Sequence, residues 1–109
     1  ADKLCQIFDW QVRWQGDGMD GAGHTIHVGS EDTYFALYQP KGSVNPVGNT
    51  YAQAGGLNHI AFVVDDLAEM RSRVSNAGYI PGDHHDYEPG KRFYFDMEDG
   101  LEIELVQYD

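Results

Sequence analysis

The sequence predicts an α+β fold built from two similar halves. Three observations lead to this prediction. The second half has the pattern strand, helix, strand, strand, strand, and the first half has the pattern helix, strand, strand, strand. The two halves also repeat at an offset of about 68 residues. A length of 109 residues allows one domain, or two small halves that share one core.

The clearest element is a helix over residues 66–78. Asp66 and Glu69 have the spacing of a capping box, and Gly78 suits the position just after the helix, where φ is positive. Between them, apolar residues recur at helical spacing, at Leu67, Met70, Val74 and Ala77. Immediately upstream, residues 57–64 are bulky and β-branched and follow two glycines, which predicts a strand.

Three further strands are predicted after this helix, over residues 79–80, 91–96 and 101–107. The last alternates strictly, with apolar residues on one face and Glu102, Glu104 and Val106 on the other. Asp99 and Gly100 supply the hairpin turn before it. The intervening segment 82–88, which contains His84 and His85, is expected to be a solvated loop.

In the first half, a short helix is predicted over residues 2–8, followed by strands over 10–14, 24–28 and 33–38. Residues 41–56 are rich in Gly, Ser, Asn and Pro, which is typical of a linker.

The repeat aligns residues 34–39 with 102–107 and places the counterpart of 57–64 upstream of residue 1. The first half therefore lacks one strand. Chance similarity between short amphipathic strands is the alternative explanation. The predicted organisation is one domain, with an incomplete first module at 1–40, a linker at 41–56 and a second module at 57–109.

Composition restricts the partners. With 18 acidic and 7 basic residues, the formal net charge is −11, which repels phosphate backbones and excludes nucleic acid as a partner. The same charge gives a well-solvated surface or attracts cationic small molecules. No apolar run approaches the roughly 20 residues of a membrane helix, and no secretory signal is visible. A lone Cys5 excludes an internal disulfide, so we expect a cytoplasmic protein.

The segment GLNHIAFVVDDL at 56–67 resembles the opening of a module of the vicinal-oxygen-chelate superfamily, which includes glyoxalases, bleomycin resistance proteins and extradiol dioxygenases. Residues 92–95 and 99–106 resemble the close of that module, and residues 24–40 are similar to the last hairpin of a first module. The resemblance implies paired βαβββ modules around a cup-shaped cavity, with the first module lacking its first strand.

Many members of that superfamily bind a divalent metal with a His from the first strand and a Glu from the last strand of each module. By position, the resemblance implies that His59 and Glu104 are metal ligands, while the first-module Glu position falls on Ala36. Zn, Fe, Mn or Ni suits such a donor pair. A hydrogen-bonded pair in the cavity wall, or simply solvated side chains, is the alternative.

Two function hypotheses follow. The first is a metal-dependent lyase, isomerase or dioxygenase, with Glu104 and Tyr94 as candidate catalytic residues. The second is a non-catalytic protein that sequesters a cationic planar drug or metabolite, which Ala36 and the acidic, aromatic composition favour. Candidate ligand-binding residues are Trp10, Tyr38, Arg92, Tyr94 and Glu102. Each aromatic residue could instead fill the core. We also expect a homodimer or an additional segment to cover the sheet edge left by the absent strand.

Overall fold

The computed structural model of the protein describes residues 1–17, 21 and 23–109. The chain divides into two compact units, Ala1–Asn45 (unit 1) and Pro46–Asp109 (unit 2), so the segment predicted as a linker is shared between them. Each unit has its own sheet, with three strands in unit 1 and four in unit 2. The predicted α+β fold, with two βαβββ-like modules, is confirmed.

Unit 1 consists of one helix and three antiparallel strands in the order β1-β2-β3. These are α1 (Asp2–Phe8), β1 (Gln11–Asp17), β2 (Gly23–Gly29) and β3 (Tyr34–Pro40). The helix packs on β2 and buries Leu4 and Ile7, as its apolar spacing requires. All four elements agree with the sequence prediction to within a few residues.

One edge of β3 is free of strand partners in the described part of the chain, because β3 pairs only with β2. A free edge leaves backbone donors and acceptors unpaired. In unit 2, the corresponding strand is paired on both sides. The strand pattern predicted for the first module is therefore confirmed, while the homodimer or segment that would cover this edge remains a prediction.

Unit 2 contains four strands and one main helix, with the sheet order β4-β7-β6-β5. They are β4 (Ile60–Val63), α2 (Leu67–Asn76), β5 (His85–Tyr87), β6 (Gly90–Asp96) and β7 (Glu102–Tyr108). The β4 strand runs parallel to β7, and the other pairs are antiparallel. Two short 3-10 turns lie at Thr50–Ala52 and Glu98–Gly100.

The helix α2 begins and ends where its sequence signals predict. The side chain of Asp66 accepts a hydrogen bond of 3.1 Å from the Glu69 amide. Gly78 has φ +96°, a conformation that side chains with a Cβ avoid. The buried face of the helix comprises Leu67, Met70 and Val74, and it packs on β7.

The strand predicted at residues 79–80 is wrong. The Tyr79 amide instead donates a hydrogen bond to the Val74 carbonyl at the end of α2. Pro81 has no amide hydrogen and so cannot donate a hydrogen bond to a neighbouring strand. Only Gly82 bonds to β6 here, through the Tyr94 carbonyl. The strand that precedes β6 is β5, which lies inside the segment predicted as a loop. The strand predicted over 57–64 is also shorter, since β4 begins at Ile60.

The two long hairpins begin in the same way, with a glycine that faces the last residue of the second strand. Gly23 faces Pro40 in the β2–β3 hairpin, and Gly90 faces Tyr108 in the β6–β7 hairpin. At either glycine, a Cβ atom would overlap the backbone of the facing strand, so both positions require glycine. This shared feature supports a true internal repeat over a chance similarity of amphipathic strands.

Candidate functional site

The sheet of unit 2 has a polar face on the side away from the apolar residues that pack under α2. The register places Tyr94 opposite Glu104, Arg92 opposite Val106, and Ala61 beside Glu104. We call this surface the polar face; its functional candidates are His59, Arg92, Tyr94, Glu102 and Glu104. The opposite face carries Phe93, Phe95, Ile103 and Leu105, all buried. Strict alternation along the strands separates the two sets.

The carboxylate of Glu104 is the centre of the polar face. Its Oε1 lies 3.1 Å from His59 Nε2, and its Oε2 accepts a hydrogen bond of 3.1 Å from Arg92 Nη1. Glu104 and Arg92 are only 6% and 7% exposed. A buried carboxylate requires a cationic partner, and Arg92 supplies one while leaving Oε1 directed at His59.

The orientation of the His59 ring is fixed by its neighbour in sequence. His59 Nδ1 lies 2.6 Å from the side-chain oxygen of Asn58, which accepts a hydrogen bond from the tautomer that carries its proton on Nδ1. A neutral ring then directs the lone pair of Nε2 at the Glu104 carboxylate. Two acceptors repel each other at 3.1 Å, so this geometry calls for a proton on Nε2 or a cation bound by both atoms.

Arg92 is held by protein groups on several sides. Its Nη2 donates to the carbonyl oxygens of Tyr87, Glu88 and Gly90. Its guanidinium lies 4.0 Å above the centre of the Tyr87 ring. These contacts bridge β5 and β6 and fix the guanidinium against Glu104. These contacts of Arg92 position the Glu104 carboxylate, and the ligand-binding role expected for Arg92 remains a prediction.

Tyr94 lies beside His59, with the ring centres 5.7 Å apart in an edge-to-face arrangement. Burial raises the pKa of Tyr94 to about 12, with further contributions from hydrogen bonding to Tyr87 and from the negative charge of Glu104. At neutral pH its hydroxyl is protonated. Tyr94 can therefore donate a hydrogen bond to a ligand on the polar face, but it is not poised to act as a base.

Glu102 is contacted by a residue that the sequence analysis missed. The Tyr51 hydroxyl donates a hydrogen bond of 2.5 Å to Glu102 Oε1, and this bond is the main reason that the pKa of Tyr51 is raised. Tyr51 lies in the 3-10 turn of the predicted linker and is otherwise exposed. The one sequence feature that could have indicated a role for Tyr51 is that no other aromatic residue occurs between residues 41 and 56. Asn58 was also missed, because a polar residue beside a candidate ligand has no distinctive spacing.

The other two predicted ligand-binding residues lie in unit 1. Trp10 stacks on Phe8 at 4.8 Å and meets the edge of Phe35 at 5.1 Å, so it belongs to the packing around α1. Tyr38 is 55% exposed and lies three residues beyond Phe35, on the opposite face of β3. The structure therefore does not bring Trp10 and Tyr38 together.

That opposite face of unit 1 carries a row of rings, which we call the aromatic row: Trp14, His27 and Tyr34. The Trp14 and His27 rings are 5.1 Å apart, and the His27 and Tyr34 rings are stacked at 4.3 Å. The guanidinium of Arg13 lies 5.5 Å from the centre of the Tyr34 ring, so the row already accepts one internal cation. Trp14 and Tyr34 remain about half exposed.

The ligand set for a metal is partial in the described residues. No three His, Cys, Asp or Glu side chains cluster there. Within the β2–β3 hairpin, Ala36 faces His27 at the position that corresponds to Glu104 facing Tyr94, so this position supplies no carboxylate in the first module. The donor chemistry of His59 and Glu104 nevertheless fits one divalent ion, with Asn58 and Arg92 holding the two ligands in place.

Comparison with known proteins identifies the family. Residues 3–105 match the Glyoxalase/Bleomycin resistance protein/Dioxygenase superfamily, and the chain belongs to this superfamily. No curated protein sequence matches the chain.

None of the helices in the described ranges is long and apolar enough to cross a membrane.

Several solved structures share the fold. A glyoxylase/bleomycin resistance protein/dioxygenase domain from Frankia sp. EAN1pec superposes with a TM-score of 0.81 at 20% identity, covering 99% of this chain and 85% of that one. The fosfomycin resistance protein FosX from Mesorhizobium loti gives 0.65 at 24% identity, covering 94% and 75%. A V278E glyoxalase I mutant from Zea mays gives 0.77 at 16% identity, covering 96% and 38%.

Proposed function

We propose that this protein binds a small molecule on the polar face and holds a divalent metal there with His59 and Glu104, as a metal-dependent lyase, isomerase or dioxygenase. The observation that carries the proposal is the 3.1 Å separation of His59 Nε2 and Glu104 Oε1. Metal–ligand distances of about 2.0–2.2 Å place two adjacent ligands of one ion at roughly this separation. A cation between the two atoms would also relieve the repulsion of two facing acceptors.

A bound divalent metal would supply Lewis-acid chemistry by polarising an oxygen atom of the ligand. The protein's own residues prepare the surface for it. Asn58 sets the ring of His59, and Arg92 keeps one oxygen of Glu104 occupied so that the other stays directed at the ring. The protonated hydroxyl of Tyr94 can donate a hydrogen bond to a ligand oxygen and orient it.

Metal addition is the direct test. Zn²⁺, Mn²⁺, Fe²⁺ or Ni²⁺ is expected to raise the melting temperature, because a ligand that binds only the folded state stabilises that state. At ten times its dissociation constant, the metal contributes about 1.4 kcal/mol. For a protein of this size, that corresponds to a rise of at least about 5 °C, measurable by differential scanning calorimetry.

The His59→Ala variant should lose this shift, and metal analysis of the purified variant should show a matching loss of bound ion. His24→Ala is the matched control, because His24 lies in unit 1 and its ring approaches only Gln15 and Asp17 among the contacts seen. An equal shift in both variants, or no shift with any of the four metals, would reject the metal-dependent function.

A second candidate function is the sequestration of a planar cation without catalysis, which the aromatic row favours. Rings exposed on one face, in a chain with a net charge of −11, can stack on a flat cation and attract it. Proflavine, a planar cation, is expected to bind about three- to tenfold more tightly than uncharged acridine at low salt. Added salt should reduce this difference.

Tryptophan fluorescence can locate that binding. In Trp10→Phe the remaining indole is that of Trp14, in the aromatic row, whereas in Trp14→Phe it is that of Trp10, which packs beside α1. Proflavine should quench the tryptophan fluorescence of Trp10→Phe and leave that of Trp14→Phe nearly unchanged. Equal affinity for both dyes, with no dependence on salt, would argue against sequestration.

A further inference from the structure

A second cleft lies in unit 2 between α2 and the sheet, on the side opposite the polar face. We call it the outer cleft. It has a volume of about 260 Å³ and is lined by Leu67, Ala68, Arg71, His84, Lys91, Phe93 and Gln107. Three of these seven side chains carry or can carry a positive charge, in a chain that has only 7 Lys and Arg residues against 18 acids. A concentration of positive charge on so acidic a protein calls for an explanation.

Arg71 is the residue that points to a ligand. Its guanidinium lies 5.3 Å from the centre of the Phe93 ring, and its Nη1 atom is buried with no hydrogen-bond partner. A buried charged N–H group without an acceptor is costly, so native structures almost always supply one. Arg71 also lines the outer cleft, so an anion that enters the cleft and draws the guanidinium off the Phe93 ring would supply the missing acceptor.

The other three arginines have acceptors, although the Nε atom of Arg92 is also buried without a hydrogen-bond partner. Arg13 donates to the carbonyl oxygens of Ser30 and Glu31. Arg73, two residues from Arg71 on the same helix, pairs with Glu69, and Arg92 pairs with Glu104. Among the contacts of the described residues, neither Arg71 nor Lys91 forms an ion pair, although Asp86 faces Lys91 across the β5–β6 pair. Both cations can therefore turn to an anion that enters the cleft.

The remaining lining favours the same class of ligand. Leu67 and Ala68 are the first two residues of α2, where the helix dipole presents partial positive charge. Gln107 also lines the cleft; its side-chain oxygen accepts from the Leu67 amide, which leaves its NH₂ group as a donor. The two cations and these donors match a phosphate group, which has about two negative charges and several acceptor oxygens at neutral pH.

We infer that the outer cleft is a binding site for a phosphate group, either as the free ion or within a small phosphate ester, with Arg71 and Lys91 as its principal ligands. The site is separate from the polar face and does not depend on a metal at His59 and Glu104. A molecule bound there would contact α2, β6 and β7 together.

Phosphate binding can be measured on the whole protein by calorimetric titration with inorganic phosphate and with glycerol phosphate, at ionic strength held constant with chloride. We expect saturable binding of one phosphate per chain. Arg71→Gln and Lys91→Gln should each weaken it by about tenfold or more, as expected for loss of a charged hydrogen bond. Arg73→Gln, the matched control on the same helix, should change it less than about twofold, because surface charges outside a site contribute little.

The ligand comparison distinguishes the outcomes. Tighter binding of glycerol phosphate than of inorganic phosphate would assign the site to an ester, and equal binding would assign it to the ion itself. Equal binding of acetate would overturn the inference, as would equal losses in Arg71→Gln and Arg73→Gln. Binding seen only at tens of millimolar and unchanged in both cleft variants would mean an adventitious ion only, which also overturns it. Circular dichroism of each variant confirms folding, and Lys91→Gln serves if Arg71→Gln fails to fold.

Discussion

Replacing Glu104 with Gln should destabilise the protein by about 3 kcal/mol, the low end of the range for breaking a buried ion pair. Glu104 and Arg92 are both nearly inaccessible to solvent, and their side chains meet at 3.1 Å. The substitution keeps the shape and one acceptor oxygen but leaves the Arg92 guanidinium buried without a counter-charge. Urea unfolding followed by circular dichroism would give the change in the free energy of unfolding.

The control is Glu69→Gln, which removes the same charge from an exposed pair with Arg73, four residues along α2. Such a pair contributes about 0.3–0.5 kcal/mol, so the control should be nearly neutral. Adding Arg92→Met to Glu104→Gln should recover part of the loss, because the unpaired charge is then removed as well. Similar effects of Glu104→Gln and Glu69→Gln would contradict the view that the buried pair organises the polar face.

Ile103→Ala should cost about 2–5 kcal/mol, because it opens a cavity in a packed core. Ile103 is fully buried on β7, with Ile60 of β4 on one side and Phe95 of β6 on the other. Its loss would remove contacts that join the parallel strand to the antiparallel hairpin. Urea unfolding again measures the change. The slope of the free energy of unfolding against urea concentration should stay constant if only stability changes.

Ile80→Ala removes the same three carbon atoms from a residue that is 87% exposed. We expect a change within about 0.5 kcal/mol, as for other surface substitutions. The comparison also checks the corrected secondary structure, because Ile80 would be costly to truncate if residues 79–80 were a buried strand. A loss for Ile80→Ala that approached the loss for Ile103→Ala would contradict the structure there.

Several features of the fold could be predicted because the signals are local. The capping box at Asp66 and Glu69, the glycine after α2 and the apolar stripe of the helix act within a single turn, so they fix its bounds directly. The alternation along β7 likewise placed Ile103 and Leu105 on the core side. The resemblance over the second module located His59 and Glu104, which the structure places 3.1 Å apart.

The misplaced strand shows where local signals fail. Residues 79–80 have strand-forming side chains, and residues 85–87 are polar and exposed, so propensity alone favours the first pair. The position of the strand is decided by hydrogen bonding to β6. His85 and Tyr87 pair with β6, whereas the Tyr79 amide donates a hydrogen bond to α2. Strand pairing is a property of two segments, and one segment's composition does not determine it.

By itself, the sequence of this protein determined its superfamily resemblance, its two-module pattern and the two residues most suited to a metal. Only the tertiary structure decided how the charges are matched. It assigned Arg92 to hold Glu104, brought Tyr51 to Glu102 across 51 residues of chain, and left Nη1 of Arg71 without a hydrogen-bond acceptor beside the outer cleft. The physical reason is that electrostatic pairing depends on distance and burial in space, which residue spacing along a chain does not record.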